Sequence, residues 1–359
     1  MTSRLEKFSL NTKVNDINKW IFCDVKISRY LAKNEKKLAL PSKENVGKNF
    51  FFLHFVTSFM KLCFIFIKQL SVQNNIALND IDHLLLSTGA GHDKKNYLNY
   101  ISKEENKFIT IKAFRPSSYM RIYTISFFVL IKFFFEAIRE INKVLSLKLP
   151  KELEILISKH IKTNLANYSY FCAIFSKIQS KHPNLIIYHS GATFLSSVTK
   201  RIGISTRYFL HGLLGEAGKS SFPAYEKIFV YSNEEVKYLK EISPQSDIVI
   251  YPYEKLKNLE KKVLIFLRVD DNLMEINQLE EVISYFIQKA YKVILKPHPT
   301  YKGSLATKLS LSHNLTLSNN NNLDAREMMN EENPTFTIGW ASTALCESLQ
   351  SGVIPITLL

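Results

Sequence analysis

Residues 293–303 read VILKPHPTYKG, and how this stretch folds decides how the rest of the chain is read. A short run, 292–295, apolar after Lys292, has the length and β-branched content of a buried strand. It ends on Lys296-Pro297-His298-Pro299, where two prolines fix the backbone of the turn. An ammonium and an imidazole therefore stand on a stiff loop just past a strand. Donors held this way suit a phosphate or pyrophosphate, because little reorganisation is needed as negative charge develops. The plainer reading is a rigid turn with no further role.

Residues 335–355, TFTIGWASTALCESLQSGVIP, repeat the pattern. A strand over 335–338 runs into Gly339, followed by Ser342-Thr343 at the expected first turn of a helix and Glu347 one turn further in. Free backbone N–H groups and hydroxyls at a helix N-terminus hold anions. The carboxylate of Glu347 can accept hydrogen bonds from a ribose diol. Ser342 as a simple cap on a core helix is the competing explanation. Arg268, Asp270 and Asp271 follow a further strand, 263–267, and read equally as diphosphate contacts or as an N-terminal helix cap.

Around these loops, apolar runs alternate with helical patterns, the mark of βαβ units and a parallel sheet. One series of strands falls at 83–87, 108–112, 185–189, 207–210, 227–231 and 248–251. A second falls at 263–267, 292–295, 316–317, 335–338 and 353–357, with a helix near 276–289. The expectation is an α/β chain of two doubly wound, Rossmann-like domains facing a cleft, residues 1–255 and 256–359, divided near 252–262. The first begins with a Lys-rich segment of about forty residues.

In the first series, TRYFLHGLLGEAGKS (206–220) places His211-Gly212 directly after a strand. An imidazole titrating near neutrality suits a general base, with Glu216 as the other candidate and a structural histidine as the bland one. HLLLSTGAGHDKKN (83–96) offers His92 and Asp93 after a strand but has neither the P-loop nor the GxGxxG spacing, and Tyr188-His189-Ser190-Gly191 is a weaker candidate still. No Asp-x-Asp flanked by apolar strands appears, so neither a bound metal nor a cofactor is expected.

The chain has 359 residues, 46% of them hydrophobic, and a net charge of +15. That charge attracts anionic partners without choosing among them. It is dispersed, with no basic run interleaved with aromatics, which argues against nucleic acid. Cys23, Cys63, Cys172 and Cys346 form no CxxC pair, which suits a reducing cytoplasm, and the first residues lack a secretory h-region. Two apolar stretches, 50–67 and 123–137, are broken by His54, Lys61 and Lys132, so buried or amphipathic helices are expected rather than spanning ones. With Lys68 and Arg121 nearby, peripheral docking on an anionic inner-membrane surface is a further expectation.

From about Tyr208 onward, the HP loop followed by the Ser/Thr motif resembles bacterial surface-polysaccharide transferases of the GT-B type. These include sialyltransferases and polysialyltransferases, capsule and Kdo transferases, and CDP-glycerol phosphotransferases. The resemblance implies a GT-B fold with an acceptor-side first domain and a nucleotide-donor-binding second domain. It implies that His298, Ser342 and Thr343 hold the cytidine nucleotide phosphate of the donor; to these the chemistry of the residues themselves adds Lys296 and Arg268 as phosphate contacts and Glu347 as the partner of the ribose. The expected activity is inverting transfer of a sialic-acid-like or Kdo-like sugar from a CMP-sugar to a capsule or lipooligosaccharide acceptor, glycan or lipid-linked. Alternatives are a CDP-polyol phosphotransferase and a non-catalytic glycan- or membrane-binding partner. Where sialyltransferases usually carry an acidic pair before glycine, this chain has His211-Gly212, closer to the CDP-glycerol type or the wider capsule group. Its end at Leu359, soon after the last strand, reads as a shortened or truncated member.

Overall fold

The structure, a computed structural model, describes residues 48–87, 97–98, 107–113, 115–145, 151–189, 193–209, 225–242, 246–251, 255–271, 275–298, 300–301, 303–318, 323–340 and 343–358. The chain divides into two compact units, Met1–Ile250 and Tyr251–Leu359.

In chain order the first unit contains α1 (Lys48–Leu70), β1 (His83–Ser87), β2 (Phe108–Lys112), α2 (Pro116–Tyr119), α3 (Phe127–Leu145), α4 (Lys151–Lys181) and β3 (Ile186–His189). It continues with α5 (Thr193–Ile202), β4 (Thr206–Phe209), β5 (Lys227–Val230), α6 (Asn233–Ile242) and β6 (Asp247–Ile250). Its six strands are ordered β2-β1-β3-β4-β5-β6, and every pairing is parallel. β1 is buried along its whole length, as a central parallel strand with both faces covered must be. Strand order reverses between β1 and β3, the switch point of this sheet. The sequence pattern does not single out α4, which has 31 residues and carries both α1 and α3 against the core. Arg201 of α5 ties α3 down by bonding Glu136, Glu140 (2.9 Å) and the Tyr168 hydroxyl (3.2 Å).

The second unit runs β7 (Glu260–Phe266), α7 (Ile276–Gln288), β8 (Lys292–Lys296), α8 (Leu305–His313), β9 (Thr316–Leu317), α9 (Ala325–Glu332), β10 (Pro334–Gly339), α10 (Thr343–Gln350) and β11 (Ile354–Thr357). The sheet order β11-β10-β7-β8-β9 is parallel throughout and places the first strand in the middle. Alternate side chains of β7 face opposite layers. Val263 and Ile265 pack with α7 and α8, while Leu264 packs with Met328 and Met329 of α9. Each such fully buried aliphatic side chain contributes about 1.5–3 kcal/mol. Local chemistry sets the helix ends. Asp324 and Glu327 form a reciprocal capping box at the start of α9, and Asn314 and Asn333 close α8 and α9 in the left-handed conformation.

Candidate functional site

The second sheet has the strand order of a mononucleotide-binding half, and its switch point lies between β7 and β10. In such sheets ligands bind beyond the carboxyl ends of the strands flanking the switch. Three loops leave that edge side by side. Phe266 at the end of β7 is in register with Lys296 at the end of β8, and Ile265 with Ile338 of β10. A Cβ on Gly339 would lie 3.3 Å from the carbonyl oxygen of Phe266, so the close approach of β10 to β7 is tight even for alanine.

Of the residues singled out from sequence, Arg268 lies two residues past β7 and is exposed, Lys296 is the buried last residue of β8, and His298 is exposed two residues further on. Thr343 opens α10 and Glu347 lies one turn into it. The structure thus gathers the backbone positions of Arg268, His298 and Thr343 at one sheet edge. Ser342, His211 and Glu216 lie outside the described residues, as do the side chain of Thr343 and the candidates His92, Asp93, Ser190 and Gly191.

The HP loop fixes the tautomer of its histidine. Nδ1 of His298 accepts the Thr300 N–H at 3.2 Å and meets the Thr300 hydroxyl at 2.9 Å. In the neutral ring the proton therefore resides on Nε2, which becomes a hydrogen-bond donor. Partial desolvation and then the charge of Lys296 hold the imidazole below its ordinary pKa, so the neutral donor is the form present at pH 7. The turn is closed by the Tyr301 N–H bonding the carbonyl of His298 at 2.8 Å. Across β7 from it, at the same strand edge, the N-terminus of α10 presents backbone N–H groups with no intrahelical partner, the second element that favours an anion here.

Glu347 behaves differently from a surface carboxylate. Burial, then the charge of Asp324, push its pKa up to about 7, and Arg326 only partly offsets them. Near neutrality it is shared between acid and carboxylate, and both forms can accept a hydrogen bond from a hydroxyl.

The two acids after β7 separate in role. Asp271 accepts hydrogen bonds from the Tyr301 hydroxyl and from the N–H groups of Ser304 (2.9 Å) and Leu305 (3.1 Å), which caps the start of α8. Burial opposes its ionisation, but these donors and Lys308 outweigh it and hold the carboxyl below its usual range. The space a side chain at position 303 would need is occupied by this carboxylate, with Oδ1 only 1.9 Å from where a Cβ would stand. Gly303, Tyr301 and Asp271 form the brace that sets the HP loop against β7, and no local sequence signal marks a contact spanning thirty positions. Among the described residues, no three His, Cys, Asp or Glu side chains gather as a metal ion would require.

Fold and site together define an α/β chain of two doubly wound parallel-sheet units, the components of a GT-B architecture, with an anion-receptive strand edge in the second. No family model matches the chain, and no curated protein matches it. Among solved structures it is similar to Phytolacca americana UGT2 complexed with UDP-2fluoro-glucose and pterostilbene. The identity is 13% and the TM-score 0.35, over 77% of this chain and 72% of that one. That likeness is too distant to carry a function across.

Proposed function

We propose that this chain is a GT-B-type glycosyltransferase whose nucleotide-activated donor binds at the carboxyl edge of the second sheet. The observation that carries the reading is the convergence there of a tautomer-fixed His298, Arg268 and the N-terminus of α10 at a Rossmann-type switch point. In this reading the second unit holds the donor and the first unit the acceptor. His298 donates from Nε2 to a phosphate oxygen, Lys296, Arg268, Ser342 and Thr343 stabilise the departing nucleotide, and Glu347 accepts from the ribose. His211 or Glu216 removes the proton of the acceptor hydroxyl as its oxygen bonds the anomeric carbon and the bond to the nucleotide breaks, which inverts the configuration. The resemblance in the HP and Ser/Thr motifs favours a CMP-activated, sialic-acid-like or Kdo-like sugar and a capsule or lipooligosaccharide acceptor.

One sequence feature favours a second reaction on the same fold. His211-Gly212 in place of an acidic pair suits a CDP-polyol phosphotransferase that releases CMP. Phosphate in the product distinguishes it from a glycosyltransferase. Thermal shifts with CMP, CDP, UDP, GDP and ADP, in chelator and with magnesium, test the shared premise. A ligand at 100 times its dissociation constant stabilises by about 2.7 kcal/mol. A cytidine-selective shift, independent of metal and lost in His298→Ala, is expected. Nucleotide binding without turnover on any donor and acceptor would instead identify a non-catalytic partner, and no shift with any nucleotide would remove the donor site.

A further inference from the structure

Helix α1 carries apolar side chains on both faces: Leu62 and Ile65 lie in the core, and a second apolar stripe faces out. Its inner face carries polar anchors: the Gln69 side chain donates to the carbonyl of Ile125 at 2.7 Å and accepts its N–H at 2.9 Å, and Ser58 bonds the carbonyl of Ile161 at 3.4 Å. Its outer face is apolar. Phe52, Met60, Phe64 and Ile67 are 69%, 65%, 64% and 64% exposed, with Leu53 and Val56 filling the same stripe. Positions 52, 56, 60, 64 and 67 follow helical spacing along one side. α3 lies against α1 through the ring pairs Phe59–Phe134 and Phe66–Phe127, and adds exposed Phe128 and Phe135. Single exposed apolar residues are ordinary, but a continuous stripe of this length marks an interaction surface.

The charges around the stripe choose its occupant. From residue 48 to residue 79 the sequence has three lysines and no acidic residue. Lys68, Lys132 and Lys162 are exposed beside the two helices, and Lys61 reaches the carbonyl of Thr163 at 2.7 Å. The carboxylates of α3 nearest this region, Glu136 and Glu140, are both engaged by Arg201. Two copies meeting through this face would oppose lysine to lysine, with the carboxylates of α3 already engaged by Arg201, which disfavours self-association. An anionic lipid surface satisfies both features, with apolar side chains in the acyl boundary and lysines at the headgroups.

We propose that the outer face of α1, extended by α3, seats the first unit in the plane of an anionic bilayer. The helix from Phe52 to Leu70 is long and apolar enough to cross a membrane. Crossing would, however, withdraw Leu62 and Ile65 from the core and break the Gln69 and Ser58 bonds. The helix therefore lies on the bilayer rather than through it. A seat of this kind would present an acceptor-side unit to lipid-linked substrate, but the lipid contact stands or falls without the transferase reading.

Sedimentation of the full chain with vesicles of phosphatidylcholine alone, and of phosphatidylcholine mixed with phosphatidylglycerol, tests the proposal. Binding is expected on the anionic vesicles, weakening with salt and falling about fivefold for each lysine removed among Lys68 and Lys132. The double variant Phe64→Ser, Ile67→Ser should lose at least tenfold in vesicle affinity at an unchanged unfolding midpoint, since both side chains are exposed. Phe64→Trp should shift its emission to the blue on vesicles and be quenched by bromines near the headgroup, whereas quenching only by deep bromines would indicate a spanning helix and overturn the in-plane seat. Equal binding by the wild type and the serine variant would also overturn it. So would a wild-type dimer that the serine variant converts to monomer while neither binds lipid.

Discussion

His189 and His298 stand at the carboxyl ends of parallel strands, one in each unit, and they are the same chemical group in opposite circumstances. His189 ends β3 at the first sheet's switch point. It is fully buried, its ring lies 5.3 Å from that of Tyr225, and among the described residues neither ring nitrogen has a hydrogen-bond partner. Burial pushes its pKa down to about 3. His298 is exposed, with one nitrogen pinned by Thr300 and the other oriented as a donor. A histidine after a strand is thus no site by itself. What distinguishes the two is the loop: Pro297 and a short return turn hold one ring outward, while the other is enclosed by its own unit.

The contrast predicts that polar groups of the first unit's helical layer act on stability and those of the second unit's edge act on chemistry. The largest effect is expected at Arg201, only 14% exposed, which holds Glu136 and an 8%-exposed Glu140. Arg201→Ala strands two carboxylates and should destabilise the first unit by about 3–5 kcal/mol, seen as a lowered urea midpoint with no change in intrinsic nucleotide affinity. His298→Ala should do the reverse. It should lower kcat/KM by about 10²–10³, or about 2.7–4 kcal/mol, and leave the unfolding midpoint unchanged. A destabilised His298→Ala with normal turnover would erase the contrast. Between these lies Gly303→Ala, which must displace Asp271 from three hydrogen bonds at about 1 kcal/mol each. Reduced stability of the second unit, together with weaker nucleotide binding, would show that the brace also positions the HP loop.

Much of this was legible in the sequence, for identifiable reasons. Parallel strands buried on both faces announce themselves as apolar runs, so LLL at 84–86 and VIL at 293–295 located their strands without any tertiary information. The HP loop was legible because proline restricts its own backbone whatever surrounds it. The long α4 was not, because its buried residues run around much of the helix and leave a weak periodic signal. Nor was the outward apolar face of α1: its apolar content predicts a helix, but only the packing shows that Ser58 and Gln69 face inward with Leu62 while Phe64 faces out. The Asp271 cap depends on a helix thirty residues away, so the sequence left it open between ligand contact and capping.

The finest test uses the two groups whose protonation burial has distorted, because their signs oppose. His189 takes up a proton near pH 6.5 when unfolded but only near 3 when folded. Between those values the unfolded chain binds more protons, so this group makes the first unit more stable as pH rises, by at most about 1.4 kcal/mol per pH unit. Glu347 titrates near 4.5 when unfolded and near 7 when folded. In that window the folded state binds more protons, and the second unit loses stability as pH rises, with the same limiting slope. Hydrogen exchange of the full chain, read by mass spectrometry in peptides from each unit between pH 4.5 and 6.5, resolves the two contributions when wild type is compared with variants. His189→Leu should remove a rising component from the first unit alone and Glu347→Gln a falling component from the second alone. Slopes untouched by His189→Leu would mean that the ring finds partners or water on acidification, and that the two strand-end histidines are less different than their burial implies.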